Sequence, residues 1–326
     1  MIDDKALLND WHAVAFSKDL EQEKVLPVRL LGEELVLWRC GNQVMAWEDL
    51  CIHRGTRLSM GWIEQNTLVC GYHGWTYNTE GRCVRIPAHP NHPVPPEARV
   101  RTFRTEERYG FVWVCMGEQT QDVPPFPEWA DPTFQKMHAG PYCFRSSGFR
   151  AVENFLDASH FPFVHSYLTG DPGSPDEIQE YEVKVGPEGL KTSEIRMRQN
   201  YADIRGQAGW MTVGYTYSVF RPLTAHISKN VGGDDRYCTF MTVTPVEDTE
   251  SLVRLCVASN VDADITELQF LAREDLIFGQ DRMIVESQRP ERLPLDWAAE
   301  LNVPVDKIAV EYRKWLKQLG VKFGAM

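Results

Sequence analysis

The sequence reads CIHRG at Cys51–Gly55 and CGYHGW at Cys70–Trp75, and these two stretches decide the fold of the first half of the chain. Each stretch supplies one thiol and one imidazole, in the order C-x-H and then C-x-x-H. Each also carries glycine, which allows a tight loop to bring backbone N–H groups close to a thiolate sulfur. The two stretches therefore predict a pair of matching metal-binding loops.

The donor set of these loops indicates which cofactor they hold. A Rieske [2Fe–2S] cluster has two cysteines on one iron and two histidines on the other, and Cys51, Cys70, His53 and His73 supply that set. The alternative is a Cys₂His₂ zinc site, but such sites usually group cysteine with cysteine and histidine with histidine. Because each loop here mixes the two types, we predict a Rieske cluster.

Composition and charge narrow the class of protein. The 326 residues are 43% hydrophobic and 25% charged, which is typical of a globular protein with about two domains. The net charge of −12 argues against binding to nucleic acid or an anionic membrane, since both need surplus lysine and arginine. No apolar run approaches a membrane span. The acidic start of the chain does not resemble a signal peptide, so we expect a cytoplasmic location.

The other six cysteines are expected to be reduced in such a location and buried as small hydrophobic side chains. They are Cys40, Cys83, Cys115, Cys143, Cys238 and Cys256.

The order of predicted elements indicates an α+β protein. Residues 1–116 read as short strands separated by turns, and prolines interrupt residues 117–141. Several strands then precede helices at about 264–289 and 306–319, which is the α+β order with an antiparallel sheet backed by helices. We predict a Rieske domain at 1–120, a linker at 121–141 and a catalytic domain at 142–326.

A second group of metal-binding residues lies in the sequence ENFLDASHFPFVH at Glu153–His165. Asn154, Asp157 and His160 are three residues apart and share one face of a predicted helix. His165 would diverge from His160 by about 140° on a straight helix. We expect Pro162 to end the helix and let both histidines reach one metal.

The third ligand is predicted on the long helix at 264–289. Two histidines and one carboxylate form the facial triad of non-haem Fe(II) oxygenases, which leaves positions open for O₂ and substrate. Asp281 falls within the apolar stripe of this helix, where a carboxylate is costly unless it is paired or bound to metal. Glu274 shares the stripe and is the second choice. A buried salt bridge from Asp281 to Arg282 or Arg289 is the alternative interpretation.

Both motifs and their separation resemble the Rieske non-haem iron oxygenases, in the oxygenase (α) component. The resemblance covers nearly the whole chain and is strongest for the branch with dicamba O-demethylase, vanillate O-demethylase and the saxitoxin-pathway hydroxylases. The similarity to the last of these, the saxitoxin-pathway hydroxylases, rests on Pro87–Pro90, His160–His165, Gln288–Leu295 and Tyr312–Leu316.

The resemblance implies a β-rich Rieske domain, a helix-grip catalytic domain and a head-to-tail α₃ trimer in which electrons cross between chains. It implies that Asp281 binds iron and that Asp157 bridges His160 to His73 of the next chain. Asn154 lies near a family asparagine beside the iron.

The activity implied is O₂-dependent hydroxylation or oxidative demethylation of a small, aromatic or heterocyclic substrate. Electrons would come from NAD(P)H through a separate reductase or ferredoxin, since the chain shows no dinucleotide-binding G-x-G-x-x-G motif. The alternatives are a cis-dihydroxylating ring dioxygenase and a Rieske protein that only carries electrons. The substrate pocket is expected to draw on residues 200–232 and 264–285, with Trp210, Tyr215 and Asn230 as candidate lining residues.

Overall fold

A computed structural model describes residues 3–166, 168–200, 209–261 and 265–326. The chain divides into two compact units, Met1–Val123 and Pro124–Met326. The domain limits of 1–120, 121–141 and 142–326 stay a prediction. No helix among the described residues is long and apolar enough to cross a membrane.

In the first unit the described residues form two antiparallel sheets and one short α-helix, α1 (Lys5–Leu8). The larger sheet has the order β1-β10-β9-β4-β3-β2 and consists of β1 (His12–Phe16), β2 (Val25–Leu30), β3 (Glu33–Cys40), β4 (Gln43–Glu48), β9 (Thr102–Arg108) and β10 (Phe111–Cys115). The smaller sheet runs in the order β5-β6-β7-β8, formed by β5 (Trp62–Glu64), β6 (Thr67–Val69), β7 (Thr76–Tyr77) and β8 (Cys83–Arg85). The predicted all-β character of this half is confirmed by its strands.

The turn between β7 and β8 shows how the local sequence fixes the smaller sheet. Gly81 donates a backbone hydrogen bond to Asn78 at 2.9 Å and has a φ of +72°. A side chain is disfavoured at such a φ, and an added Cβ would also lie 2.7 Å from Thr102. This turn orients the sheet so that Tyr77 packs with Trp38 and Trp47 in a core that also contains both cysteines of the predicted cluster.

The second unit is an antiparallel sheet backed by helices. The strands are β11 (Gln135–Phe144), β12 (Val183–Gly186), β13 (Gly189–Thr192), β14 (Ile195–Asn200), β15 (Trp210–Arg221), β16 (Thr224–Asn230), β17 (Arg236–Glu247) and β18 (Glu250–Ser259). They follow the order β11-β18-β17-β16-β15-β13-β12, and β14 pairs with β15. The helices are α2 (Gly148–Leu156), α3 (Phe161–Val164), α4 (Glu267–Ser287) and α5 (Lys307–Leu319). The α+β class is therefore confirmed.

Helix α4 carries the predicted carboxylate ligand toward the sheet. Its start is fixed by a capping box between Thr266 and Gln269. The residues that it buries recur every three or four positions, which is the spacing of one helix face. They are Phe270, Glu274, Phe278, Asp281 and Val285. Ile284, an apolar residue next to Val285 on the same helix, is 44% exposed.

Helix α5 is attached to α2 by a buried group of charges. Arg313 makes ion pairs with Glu153 at 2.5 Å and with Glu300 at 2.5 Å. Arg150 in α2 also binds Glu300, at 2.8 Å. The side chains of the two arginines are only 2% and 3% exposed, so these pairs hold α2 against α5.

Burial of the six remaining cysteines follows the prediction only in part. Cys83, Cys115, Cys238 and Cys256 are buried and Cys40 is partly buried, but Cys143 is exposed. The prediction is wrong for Cys143 because this residue lies near the end of the edge strand β11, which pairs on one side only.

Candidate metal centres

The two cluster loops have the same backbone hydrogen bonds. Cys51 donates to Thr56 at 2.8 Å and accepts from Gly55 at 2.9 Å; the Cys70 loop repeats these bonds with Trp75 at 2.8 Å and Gly74 at 3.0 Å. The two glycines have φ values of +70° and +68°, where other residues are strained. The glycine at the same point of each loop is therefore what allows each cysteine to sit in an identical turn.

The loops place the thiols inward and the imidazoles outward. Cys51 and Cys70 are 2% and 1% exposed, and the Sγ atom of Cys51 lies 3.1 Å from the Tyr77 hydroxyl. The rings of His53 and His73 lie 4.5 Å apart at the outer end, where His73 is exposed.

The donor atoms of these loops fit an iron–sulfur cluster. The Nδ1 atom of His53 is buried, and no residue that the structure describes gives it a hydrogen bond. Trp75 stacks on the same ring at 4.4 Å and holds its orientation. Burial raises the pKa of the Cys70 thiol, so a metal is what would keep this sulfur ionised. Together the two loops supply two buried thiols and two imidazole rings 4.5 Å apart, which is the donor set of a Rieske cluster.

The second group of predicted ligands also converges. The Nε2 atoms of His160 and His165 lie 3.3 Å apart. The Oδ1 atom of Asp281 lies 3.1 Å from His165 Nε2 and 3.5 Å from His160 Nε2. This oxygen is buried, and no described residue gives it a hydrogen bond of acceptable geometry. Two imidazoles and one carboxylate therefore meet with their lone pairs directed to one point, which is the ligand set of a facial triad.

The outer nitrogens of both imidazoles are fixed by neighbouring side chains. Asp157 Oδ2 lies 3.2 Å from His160 Nδ1, and Gln280 Oε1 lies 2.9 Å from His165 Nδ1. Each Nδ1 therefore carries the proton, and each Nε2 is left for a metal. Gln280 was not predicted as a site residue, although it directly precedes Asp281. A polar amide next to a candidate ligand could have indicated it.

The charges of this site depend on one another. Burial by itself would lower the pKa of His160, but the carboxylates of Asp157 and Asp281 raise it to about 9. Burial would raise the pKa of Asp281, but the adjacent imidazoles of His160 and His165 hold it below its usual range. A divalent cation bound here would replace the proton on His160 as the positive partner of the buried Asp281 carboxylate.

The chain reaches this geometry by a different route from the one predicted. Helix α2 ends at Leu156, with Asp157 as its C-cap, and Pro162 lies in the first turn of α3. The Asp157 side chain accepts from Ser159 N at 2.7 Å. The expectation that Pro162 ends the helix after His160 is therefore wrong, because an Asx-type turn at Asp157 ends it earlier.

Glu274 and Arg289, which were also considered for this region, fall outside the ligand trio. Glu274 lines the adjacent cavity and accepts a hydrogen bond from the Tyr237 hydroxyl at 3.3 Å. Arg289 instead pairs with Glu291 at 3.2 Å, and the ion pairs found for Asp281 are with the two histidines.

The cavity beside the trio is lined by α2, β16, β17 and α4. Asn154 contributes to it from the last turn of α2, together with Lys229 and Arg273. Trp210, Tyr215 and Asn230 are not among its described lining residues, and 201–208 of the predicted range lie outside the residues described. Tyr215 instead lies beneath Lys229, whose ammonium is 5.4 Å from its ring. The prediction missed this because facing cannot be assigned without the register of the strands.

Two protein-family models match separate parts of the chain, one within each compact unit. The Rieske [2Fe–2S] domain family model matches residues 10–104. The vanillate O-demethylase oxygenase C-terminal domain model matches residues 149–322.

Similar proteins extend over almost the whole chain. Methylxanthine N1-demethylase NdmA of Pseudomonas putida is 31% identical over 97% of this chain and 92% of its own length. A vanillate O-demethylase oxygenase subunit of a Pseudomonas species is 27% identical over 95% and 94%. The solved structure of NdmA with caffeine has a TM-score of 0.80 at 30% identity, covering 97% of this chain and 92% of that one. Dicamba monooxygenase bound to dicamba, at 22% identity, shares the fold with a TM-score of 0.78.

One further similar protein matches only part of this chain. The oxidoreductase NdmD of Pseudomonas putida is 43% identical over 34% of this chain and 19% of its own length. From the two family models and the relatives that span the chain, the protein belongs to the Rieske non-haem iron oxygenases: it is an α component that uses O₂, a [2Fe–2S] cluster, a mononuclear iron and electrons passed from NAD(P)H by a reductase.

Proposed function

We propose that this oxygenase removes a methyl group from nitrogen or oxygen on a small aromatic or heterocyclic substrate. The observation that carries the proposal is the trio of His160, His165 and Asp281 in the lining of a cavity. The relatives that span the chain are named for N-demethylation and O-demethylation.

The reaction balances with one O₂ and two electrons. One oxygen atom is inserted into a C–H bond of the methyl group, and the other leaves as water with two protons. The resulting hemiaminal or hemiacetal then breaks its bond to nitrogen or oxygen and releases formaldehyde. When bound, the cluster supplies single electrons and the mononuclear iron supplies O₂ activation.

The side chains of this chain have separate tasks in that reaction. Asp157 and Gln280 hold the two imidazoles in the tautomer that leaves Nε2 for the metal. Asp281 supplies the charged ligand. Asn154 lines the cavity beside them and is placed to hold a polar group near the reacting methyl.

The cavity wall away from the trio indicates a polar substrate. Arg273 Nη1 donates to the Tyr237 hydroxyl at 2.8 Å, and Lys229 lies 5.2 Å from the same ring. A substrate with carbonyl, carboxylate or ring-nitrogen acceptors would find donors there, while the apolar faces of Ile277 and Phe278 take its ring.

The test is to measure formaldehyde release with a surrogate reductase, NAD(P)H and a panel of N-methyl heterocycles and O-methyl aromatic acids. We expect formaldehyde, O₂ and NAD(P)H in equal amounts for at least one class. A cis-diol product would instead identify a ring dioxygenase. An iron content of two rather than three per chain, with no product, would identify an electron carrier.

We further propose that the enzyme acts as a head-to-tail homotrimer, in which His73 of one chain donates to Asp157 of the next. The support is that both residues are accessible: His73 is exposed, and the Asp157 side chain is 36% exposed although it holds His160. Asp157 can then hydrogen-bond His160 and an imidazole from another chain at the same time.

Mixing two inactive variants tests electron transfer between chains. Cys70→Ala removes the cluster, and Asp281→Ala removes the mononuclear site. If trimers are formed from an equal mixture by reversible unfolding or co-expression, about a quarter of the interfaces pair an intact cluster with an intact iron site. We expect about that fraction of wild-type turnover. No activity in the mixture would contradict transfer between chains.

A further inference from the structure

A second set of metal-binding side chains lies on the other face of the catalytic sheet. In β16 and β17, the residues that line the iron cavity alternate with residues that project away from it. The cavity takes Ile227, Lys229, Tyr237 and Thr239. His226 and Cys238 occupy the alternate positions, so they share the opposite face. Strand pairing places Cys238 directly across from Ser228, one position along that face from His226.

The segment that follows the first unit brings a carboxylate to this face. Residues Pro127–Ala130 form a single 3-10 turn, and Phe126 just before it stacks on Phe240 with ring centroids 4.7 Å apart. This stacking fixes the turn over the sheet. It directs Glu128 to His226, with 3.2 Å between Oε2 and Nε2.

The three donor atoms lie close enough for one cation. A carboxylate oxygen of Glu128, a ring nitrogen of His226 and the Sγ atom of Cys238 all lie within 4.8 Å of one another. Two nitrogen or oxygen ligands of tetrahedral zinc lie about 3.3 Å apart, given metal–ligand bonds of about 2.0–2.1 Å. The Glu128–His226 separation of 3.2 Å therefore needs almost no adjustment.

Burial favours a specific site over a surface contact. The side chains of His226 and Glu128 are 7% and 15% exposed, and Cys238 is 0% exposed. A cavity of about 800 Å³ opens beside Glu128 and His226, and its wall includes the hydroxyls of Ser218 and Ser228. It leaves room for a water molecule at a fourth coordination position.

We propose that Glu128, His226 and Cys238 form a zinc site that fastens the segment Pro127–Ala130 to strands β16 and β17. One thiolate, one imidazole and one carboxylate in a tetrahedral arrangement suit Zn²⁺ better than Mg²⁺ or Ca²⁺, which prefer oxygen ligands. The site lies on the face of the sheet opposite the iron trio. Its role is to join three segments that are far apart in sequence, separate from the oxidation chemistry.

The competing account is that these residues only form hydrogen bonds. His226 and Glu128 already pair, and the Cys238 thiol lies 3.4 Å from Ser228 Oγ. That account predicts that the protein does not retain zinc at this face, and that Cys238 can be replaced by serine without affecting zinc binding.

The decisive experiment is zinc X-ray absorption on the fully iron-loaded enzyme after addition of one equivalent of Zn²⁺ and gel filtration. We expect one sulfur at about 2.3 Å and nitrogen or oxygen at about 2.0–2.2 Å. Zinc that entered the mononuclear iron site would show nitrogen and oxygen alone, because that trio has no thiol. The zinc edge is separate from the iron edge, so the cluster does not interfere.

Matched variants identify the sulfur. Cys238→Ser should remove the sulfur shell, whereas Cys256→Ser, which alters an equally buried thiol in β18, should leave it unchanged. Unchanged Rieske EPR and three irons per chain show that the variants are folded. They also show that neither Cys51 nor Cys70 has left the cluster to supply the sulfur bound to zinc. Retention of the sulfur shell in Cys238→Ser would overturn the proposal. So would a wild-type zinc shell of nitrogen and oxygen only, or a wild type that binds no zinc.

A second measurement does not depend on spectroscopy. Zinc that binds only the folded protein raises its stability by RT ln(1 + [Zn]/Kd). We expect added Zn²⁺ to raise the melting temperature of the wild type and of Cys256→Ser, but not of Cys238→Ser or His226→Gln. An equal rise in all four proteins would place the zinc elsewhere and contradict the proposal.

Discussion

Replacing Gln280 by leucine tests whether this side chain controls the affinity of the mononuclear iron site. Its Oε1 atom accepts from His165 Nδ1 at 2.9 Å, and the His165 side chain is only 2% exposed. Water therefore cannot take the place of the lost acceptor. With a metal on Nε2 the ring must keep its proton on Nδ1, so the variant would bury an unsatisfied N–H in the metal-bound state.

The size of the effect follows from that unsatisfied group. A buried donor without a partner costs about 1–3 kcal/mol, which corresponds to about 5–150-fold in an equilibrium constant. Loss of a partner to a metal-bound histidine typically weakens metal binding about 10–100-fold. We therefore expect Gln280→Leu to weaken Fe(II) binding by about 10–100-fold.

The assay is anaerobic competition for Fe(II) with a chromophoric chelator, with Rieske EPR as the measure of an intact first unit. Gln280→Glu is the matched control, since it keeps an acceptor at the same position and should retain wild-type affinity or exceed it. If Gln280→Leu binds Fe(II) within about threefold of the wild type, the hydrogen bond does not orient His165 and the reasoning fails.

Three further predictions concern other parts of the molecule. Asp157→Asn should keep all three irons but lower turnover about 10–100-fold, measured by product formation, because the variant loses the charge that would link His160 to His73 of the next chain in the proposed trimer; turnover near wild type would exclude this bridge. Arg313→Met should destabilise the protein by about 3–5 kcal/mol in urea unfolding, because it leaves the Glu153 carboxylate buried without its main partner; Arg313→Met combined with Glu153→Leu should recover much of that loss, and no recovery would contradict the buried-charge explanation. Burial lowers the pKa of His12 to about 4, so the unfolded chain binds the proton more tightly, and stability should fall by up to about 3 kcal/mol as the pH drops from 6.5 toward 4. His12→Gln should flatten that part of the pH profile, and an unchanged profile would show that His12 does not titrate there.

Local sequence was sufficient wherever ligands lie within one turn or loop. The two cluster loops could be predicted because each cysteine, its histidine and its glycine fall within a few residues, and the φ values at Gly55 and Gly74 show why glycine is needed. His160 and His165 were predicted for the same reason. The turn that ends α2 was misplaced because a capping aspartate, Asp157, acts before Pro162.

The spacing of residues along a helix predicted which side chains face the core better than the spacing along the strands did. The stripe of α4 predicted that Asp281 faces the core, since helical spacing fixes facing within a single element. In the sheet, Lys229 and Tyr237 line the cavity in place of Asn230. Their facing depends on strand register, and a shift of one residue reverses it.

The sequence by itself predicted the two donor sets and determined the α+β class and the family, because these depend on short spacings and on the order of elements. Only the tertiary structure decided that Gln280 reaches His165, 115 residues away, and that Glu128, His226 and Cys238 meet on the opposite face of the sheet. These contacts form when α4 and the segment Pro127–Ala130 dock on the sheet. The physical reason is that docking depends on many weak packing contacts between distant parts of the chain. No single stretch of sequence contains both partners of those contacts.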